Sequence, residues 1–160
     1  MRVSISGQAD MPTLSNEQAV IVALDPGTHL SDGSRRLAEH EGPRLNLRVH
    51  DVWFDAEGQI APNAEHLRAI EEFLATHRPT HLHVSCLAGV SRSAAFALFA
   101  LATTHPEWPD EAVVRAVLNV RPQCFPNPRI VELADRRLQR NLTAALRRAF
   151  EERQVAWPPS

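Results

Sequence analysis

The chain has 160 residues, of which 44% are hydrophobic and 22% are charged. These values are ordinary for a globular protein large enough to bury a core, so we expect one domain over residues 1–160. A formal net charge of −2 gives no general attraction to nucleic acid or to an anionic membrane, and we expect neither as a partner. The two cysteines, Cys86 and Cys124, are too few for a disulfide scaffold and favour a reducing, cytoplasmic location.

Three β-rich runs open the chain: "RVSIS" near Val3, "AVIVAL" over Ala19–Leu24, and "LNLRVHDV" over residues 45–52. The second is continuously apolar, which is typical of a strand buried on both faces of a sheet. Between the second and third runs, "SDGSRRLAEHEG" predicts a short polar helix ended by Gly42.

The middle of the chain alternates again between helix and strand. "PNAEHLRAIEEFLATHRP" predicts a helix that places Leu67, Ile70, Phe73 and Leu74 on one face. "THLHVSC" then predicts a fourth strand. A glycine turn and an apolar helix that ends near "TTHPEWP" follow it.

The last third is predicted to be helical. One helix starts with Pro109 at its first position and turns inward Ala112, Val113, Ala116, Val117 and Val120. After the proline-interrupted "RPQCFPNP", residues 130–150 form an amphipathic stretch whose arginines indicate a solvated face. We expect the final "QVAWPPS" to be a loose end. Strands alternating with helices indicate an α/β fold, with a central, mostly parallel sheet of four to five strands and helices on both faces.

The segment "CLAGVSRS" after the fourth strand has the residues of an anion site. Ligands of open α/β sheets bind at the carboxyl ends of strands, and a loop entering a helix points its N–H groups at one spot. Gly89 permits a backbone conformation that other residues resist, and Arg92 offers paired donors to two oxygens of a phosphate. These donors favour the thiolate of Cys86, a nucleophile directed at phosphorus.

These residues resemble a known family. "CLAGVSRS" resembles the signature H-C-x-x-G-x-x-R-[ST] of cysteine-dependent protein tyrosine phosphatases, in their compact dual-specificity-like branch. "RPQCFPNPRIVELADRRL" resembles the R-P-x-x-x-P-N stretch and helix that follow that signature, and "LRVHDV" resembles the strand that delivers the general acid. The matches cover residues 45–138 in the family's order, and small bacterial members look most similar.

The resemblance implies a mechanism and a partner. Cys86 would form a cysteinyl-phosphate, Arg92 would stabilise the transition state, and the Ser93 hydroxyl would help the thiolate to leave. Substrates would be phosphorylated proteins or small phosphomonoesters, phosphotyrosine first and phosphoserine or phosphothreonine as further candidates. Phosphate, sulfate or vanadate would bind in the loop, and no metal or cofactor is expected. The backbone that would hold the phosphate oxygens belongs to Leu87, Ala88, Gly89, Val90, Ser91 and Arg92.

Two aspartates are candidates for the general acid that protonates the leaving group. Asp51 sits where its strand ends, as the family pattern requires, whereas Asp55 has the sequence distance from Cys86 that is commoner in the family. We favour Asp51, because loop lengths vary more freely than the relation of a residue to its strand.

Ser85 stands where the family signature has histidine. Serine is shorter and never cationic, so we expect weaker stabilisation of the thiolate, lower activity and an optimum at higher pH. The alternative function is therefore a phosphatase-like module that binds phospho-ligands with weak or no turnover. A rhodanese-like sulfur carrier is a third hypothesis, disfavoured by the Arg92-Ser93 pair. We interpret His81 and His83 as hydrogen-bonded residues of one strand face. Cys124 is interpreted as a packing cysteine, with a resolving thiol for oxidised Cys86 as the alternative.

Overall fold

A computed structural model describes residues 1–29 and 34–159. Its central sheet has four strands: β1 (Arg2–Ser6), β2 (Ala19–Leu24), β3 (Arg44–Arg48) and β4 (His81–Ser85). They lie in the order β1-β4-β2-β3, and every neighbouring pair is parallel. The sequence-based prediction of a mostly parallel α/β sheet is confirmed.

Strand β2 is buried along its whole length, as its unbroken apolar run predicts. Its alternate residues face opposite sides of the sheet. Ile21 and Ala23 join the main core, whereas Val20 and Val22 face a smaller cluster with Leu37. The sheet is therefore covered on both faces, and unequally.

Six helices lie in the described residues, and the third of them is the centre of the main core. The helices are α1 (Arg35–Ala38), α2 (Ala64–His77), α3 (Arg92–Thr104), α4 (Asp110–Val120), α5 (Pro128–Leu138) and α6 (Leu142–Glu152). Helix α3 has its first eleven residues buried and contacts the three strands β1, β2 and β4 as well as helices α2, α4 and α5.

The connection around β3 differs from the prediction. The strand ends at Arg48 rather than at residue 52, so Asp51 lies in a loop beyond it. The polar helix predicted between β2 and β3 is the single turn α1; residues 31–33 of that prediction lie outside the described residues.

The prediction for helix α4 was wrong at its first residue and at one of the residues expected to face inward. Pro109 caps the helix from outside rather than occupying its first turn. Val120, expected inside, has 45% of its surface exposed, because the buried stripe follows the four residues Val113, Val114, Val117 and Leu118 instead.

The amphipathic stretch predicted over residues 130–150 consists of two helices, α5 and α6. Helix α5 ends at Leu138, and the residue that caps it, Gln139, has a left-handed φ of 53°. The Asp135 carboxylate accepts hydrogen bonds from the first N–H groups of α6 at 2.7 and 3.0 Å. Two of its arginines are not simply solvated: Arg140 pairs with Asp110 at 2.6 Å with only 14% of its side chain exposed, and Arg137 binds Glu71.

The carboxyl-terminal residues contradict the expectation of a loose end. Trp157 is 5% exposed, and its indole N–H donates to Pro126 O at 2.9 Å. Its ring stacks near Phe150 of α6, which itself meets Phe125 edge-on. The segment after α6 therefore returns to the core. Among the described helices, none has the length and apolar character needed to cross a bilayer.

Candidate active site

The residues from Cys86 to Ser91 form a tight loop between β4 and the first turn of α3. Cys86 Sγ lies 3.1 Å from Ser93 Oγ, and both residues are buried. A thiol at this distance donates to the hydroxyl, and a thiolate would accept from it. The two residues that the family resemblance pairs are thus in hydrogen-bond contact.

Gly89 is required by the shape of this loop. Its φ is +69°, and a Cβ there would lie 2.2 Å from Gly7 N and 2.3 Å from Ser6 C. The chain leaving β1 therefore passes directly beneath the loop, and no larger residue fits between them.

The carbonyl groups of the loop point away from its centre, toward neighbouring segments. Five consecutive oxygens accept hydrogen bonds from outside: Leu87 O from Gln8 N at 3.0 Å, Ala88 O from Arg121 Nη2 at 3.2 Å, Gly89 O from Arg121 Nε at 3.0 Å, Val90 O from Phe125 N at 2.8 Å, and Ser91 O from Asn127 N at 3.2 Å.

This arrangement fixes where the N–H groups of the loop point. In a planar trans peptide the C=O and the following N–H point in opposite directions. Outward carbonyls at residues 87–91 therefore turn the N–H groups of residues 88–92 toward the loop centre. Within residues 1–29 and 34–159, no N–H group of residues 87–91 has a hydrogen-bond partner. The result is a ring of free donors suited to an anion.

Arg92 lies beside this ring with one edge of its guanidinium held. It is 4% exposed, and its Nη1 donates to Asp25 Oδ1 at 2.7 Å and to Val49 O at 2.8 Å. Its Nε is buried and has no hydrogen-bond partner among the described residues. A buried, unpaired donor is costly, which favours a ligand that accepts from this edge.

Asp51 reaches the same loop from beyond β3. Its Oδ1 accepts from Ser91 Oγ at 2.7 Å and from Asn127 Nδ2 at 2.8 Å. The base of the Asp51 loop is closed by His50, whose N–H donates to Ile60 O while its ring Nδ1 accepts from Ile60 N, both at 2.8 Å.

Asp55, the other candidate acid, points elsewhere. Its side chain is 88% exposed and pairs with Arg129 at 2.9 Å. It does not line the cleft above the loop over residues 86–91. That cleft has a volume of about 560 Å³ and is lined by Asp25, His50, Asp51, Val52, Gln59, Cys86, Leu87, Ala88, Val90, Ser91 and Arg92.

Ser85, in the position of the family's histidine, is completely buried. Among the residues that the structure describes, its hydroxyl contacts only Cys86 O, at a long 3.4 Å. The buried histidine near Ser85 is His83, which lies two residues earlier on the same face of β4. It is held between Ser4 Oγ at 2.7 Å and Ser6 Oγ at 2.8 Å. Burial lowers the pKa of His83 to about 4, so its ring is neutral at physiological pH.

Ser4 Oγ also contacts His81 Nε2 at 2.8 Å, so both histidines of this strand face share one hydroxyl. The hydrogen-bonded role expected for them is the one observed. Cys124 is buried, and burial raises its pKa to about 11, which suits a packing cysteine better than a reactive thiol.

Two residues of the site, Asp25 and Arg121, were not predicted from the sequence. Asp25, which binds Arg92, directly follows β2, and the shared carboxyl edge of parallel strands was a usable signal for it. Arg121, which binds two loop carbonyls, also pairs with Asp10 at 2.5 Å. In the sequence, Arg121 was indicated only as the first residue of "RPQCFPNPRIVELADRRL", which matches the family pattern loosely.

Comparisons with known proteins bear on the fold of the chain. No family model matches the chain, and no curated protein matches it by sequence. Solved structures do match. PTPMT1 is similar over 94% of this chain and 95% of its own, with a TM-score of 0.59 at 18% identity. DUSP15 is similar over 94% and 91%, with a TM-score of 0.57 at 21% identity. A human tyrosine phosphatase-like serine/threonine/tyrosine-interacting protein is similar over 76% of each chain, with a TM-score of 0.55 at 18% identity.

The chain therefore has the fold of the cysteine-dependent tyrosine and dual-specificity phosphatases. This confirms the fold class expected from "CLAGVSRS" and its flanking stretches.

Proposed function

We propose that this protein hydrolyses phosphate monoesters through a cysteinyl-phosphate, with phosphotyrosine in proteins as the first substrate class and phosphoserine or phosphothreonine as further candidates. The observation that carries the proposal is the ring of free N–H groups around Cys86, with the unpaired Nε of buried Arg92 beside it. This is a site for a tetrahedral dianion with a thiol at its base. Two free cysteines also fit a cytoplasmic location.

The geometry supports a two-step reaction. The Cys86 thiolate attacks phosphorus while the bond to the leaving oxygen breaks, and Asp51 gives that oxygen its proton. Water, with Asp51 now as base, then attacks the phosphocysteine, and the sulfur leaves as thiolate. Ser93 Oγ, 3.1 Å from the sulfur, donates to that thiolate.

Charge is stabilised from two directions during both steps. The loop N–H groups and the amino-terminal end of α3 face the equatorial oxygens of phosphorus. Arg92 contributes its free edge, because Asp25 and Val49 O already hold Nη1 in a fixed position. A preorganised guanidinium loses little side-chain entropy when the phosphate arrives.

The experiment is hydrolysis of p-nitrophenyl phosphate by the wild-type protein and by Cys86→Ser, with and without vanadate. We expect turnover that vanadate inhibits, and a loss of at least about 10³-fold in Cys86→Ser, since the nucleophile is removed. Equal rates for wild type and Cys86→Ser would contradict the proposal.

A phospho-ligand binding module is the second candidate function. Ser85 favours it, because its buried hydroxyl makes a long contact of 3.4 Å to Cys86 O and serine offers no cation. One of the structurally similar proteins is named a phosphatase-like interacting protein, which is consistent with a binding function on this fold. The same assay separates the two functions: a binding module would take up phosphate or vanadate, measured by calorimetry, without turnover that depends on Cys86.

A further inference from the structure

Ser91 touches both halves of the candidate site. Its peptide N–H is turned toward the loop centre, because the preceding carbonyl, Val90 O, is held outward by Phe125 N at 2.8 Å. Its side-chain Oγ donates to Asp51 Oδ1 at 2.7 Å. Ser91 thus joins the candidate general acid to the loop over residues 86–92, which we call the phosphate cradle.

We propose that Ser91 is a positioning residue for the general acid, which sets the distance between the Asp51 carboxyl and the phosphate. This role rests on the proposed phosphatase function and deepens it. Asn127 holds the same carboxyl from the side, through Asp51 Oδ1 at 2.8 Å and Val52 O at 3.3 Å, whereas the hydrogen bond from Ser91 Oγ ties it directly to the loop that would hold the phosphate.

The same contact selects which oxygen of Asp51 holds the proton. Oδ1 accepts from both Ser91 Oγ and Asn127 Nδ2, whereas Oδ2 accepts no hydrogen bond from the residues the structure describes. An oxygen that already accepts two hydrogen bonds is the poorer site for a proton. The proton is therefore carried on Oδ2 and passes from there to the leaving oxygen.

The test compares two substrates that differ in their need for an acid. Phenyl phosphate releases a basic phenolate that requires protonation, and p-nitrophenyl phosphate releases a stabilised one that scarcely does. For Ser91→Ala we expect kcat/KM to fall about ten-fold on phenyl phosphate and at most about two-fold on p-nitrophenyl phosphate, a fraction of the general-acid effect. Inhibition by vanadate should stay unchanged, because the peptide N–H remains.

Three further variants separate positioning from a structural effect. Ser91→Thr keeps a hydroxyl and should restore cleavage of phenyl phosphate. In an Asp51→Asn background, Ser91→Ala should cause no additional loss on either substrate. Ser85→Ala, a neighbouring hydroxyl without contact to Asp51, should act equally on both substrates.

Equal losses on the two substrates for Ser91→Ala, or the same loss in the Asp51→Asn background, would overturn the role of Ser91 and leave the phosphatase function standing. Absence of Cys86-dependent turnover in the wild type would overturn the phosphatase function and this role together.

Discussion

Asp51 and Asp55 lie in one loop, yet their surroundings separate them. Asp51 is hydrogen-bonded to Ser91 and Asn127 and lines the cleft, whereas Asp55 extends into solvent and pairs with Arg129. An acid must reach the leaving oxygen of a phosphate held in the loop, and of the two only Asp51 lines the cleft that contains it.

The two asparagine variants test this choice. Asp51→Asn should lower kcat/KM on phenyl phosphate roughly 100-fold and abolish the decline in rate at higher pH that reports loss of the acid's proton. Asp55→Asn removes an exposed ion pair, which contributes little, and should leave both the rate and the pH profile close to wild type. The reverse pattern would assign the acid to Asp55.

At the scale of elements, the segment between α4 and α5 connects most parts of the site. Phe125 N and Asn127 N hold the loop carbonyls at 2.8 and 3.2 Å, and Asn127 Nδ2 holds Asp51 at 2.8 Å. This segment is itself held by Trp157, through Pro126 O. The carboxyl-terminal residues therefore support the cradle from behind.

Replacing Trp157 should affect both stability and activity. Trp157→Ala leaves a cavity and an unpaired Pro126 O, so we expect a loss of about 3–5 kcal/mol in the free energy of unfolding. At temperatures where the variant is still folded, kcat/KM should also fall, because the segment over residues 121–127 loosens. Chemical denaturation and p-nitrophenyl phosphate kinetics measure the two effects.

Two variants make that result specific. Trp157→Phe keeps most of the packing and removes only the indole hydrogen bond, so it should cost about 1 kcal/mol. Trp108→Ala removes a half-buried tryptophan that stacks on His105 near the start of α4. It should lower stability without lowering kcat/KM in the folded protein. An equal loss of activity in Trp108→Ala would count against a link between the tail and the cradle.

At the scale of the whole molecule, the hydrophobic pattern of the sequence predicted which strands and helices form, but not the exact inward face of α4 or the contacts between distant segments. Strand β2 has the predicted bounds, since six consecutive apolar residues have one buried solution in a parallel sheet. Two features that the sequence did not predict depend on tertiary contacts: the return of Trp157 to Pro126 and the contact of Asp25 with Arg92. A local pattern carries no information about those contacts. The "CLAGVSRS" loop is intermediate, because its glycine and arginine are forced by local geometry, whereas its outward carbonyls need partners from two other segments, the one after β1 and the one between α4 and α5.

The sheet also contains a buried titratable group that couples the whole fold to pH. His83 lies on β4 opposite Ser4 of β1, fully buried, with His81, His40, Asp10 and Arg121 as the charged or titratable groups that act on it. Its pKa is lowered to about 4 from an ordinary 6.5, chiefly by burial. The unfolded chain therefore binds a proton between pH 6.5 and 4 that the folded chain refuses.

Stability should accordingly fall as pH drops through this window. The contribution of neutral His83 is fully present above pH 6.5, and about 2 kcal/mol of it should be lost at pH 5. Urea denaturation at pH 7.5 and pH 5 measures this loss in the free energy of unfolding. His83→Gln, which cannot take up a proton, should show a smaller difference between the two pH values, despite being less stable at both.

His81, whose pKa burial also lowers, accounts for part of the remaining dependence of stability on pH, and His81→Gln gives its share. The carboxylates of lowered pKa, such as Asp10, take up their protons at more acidic pH and leave this window to the histidines. A pH 7.5 to pH 5 difference in His83→Gln as large as in the wild type would mean that the sheet does not exclude the proton from this ring.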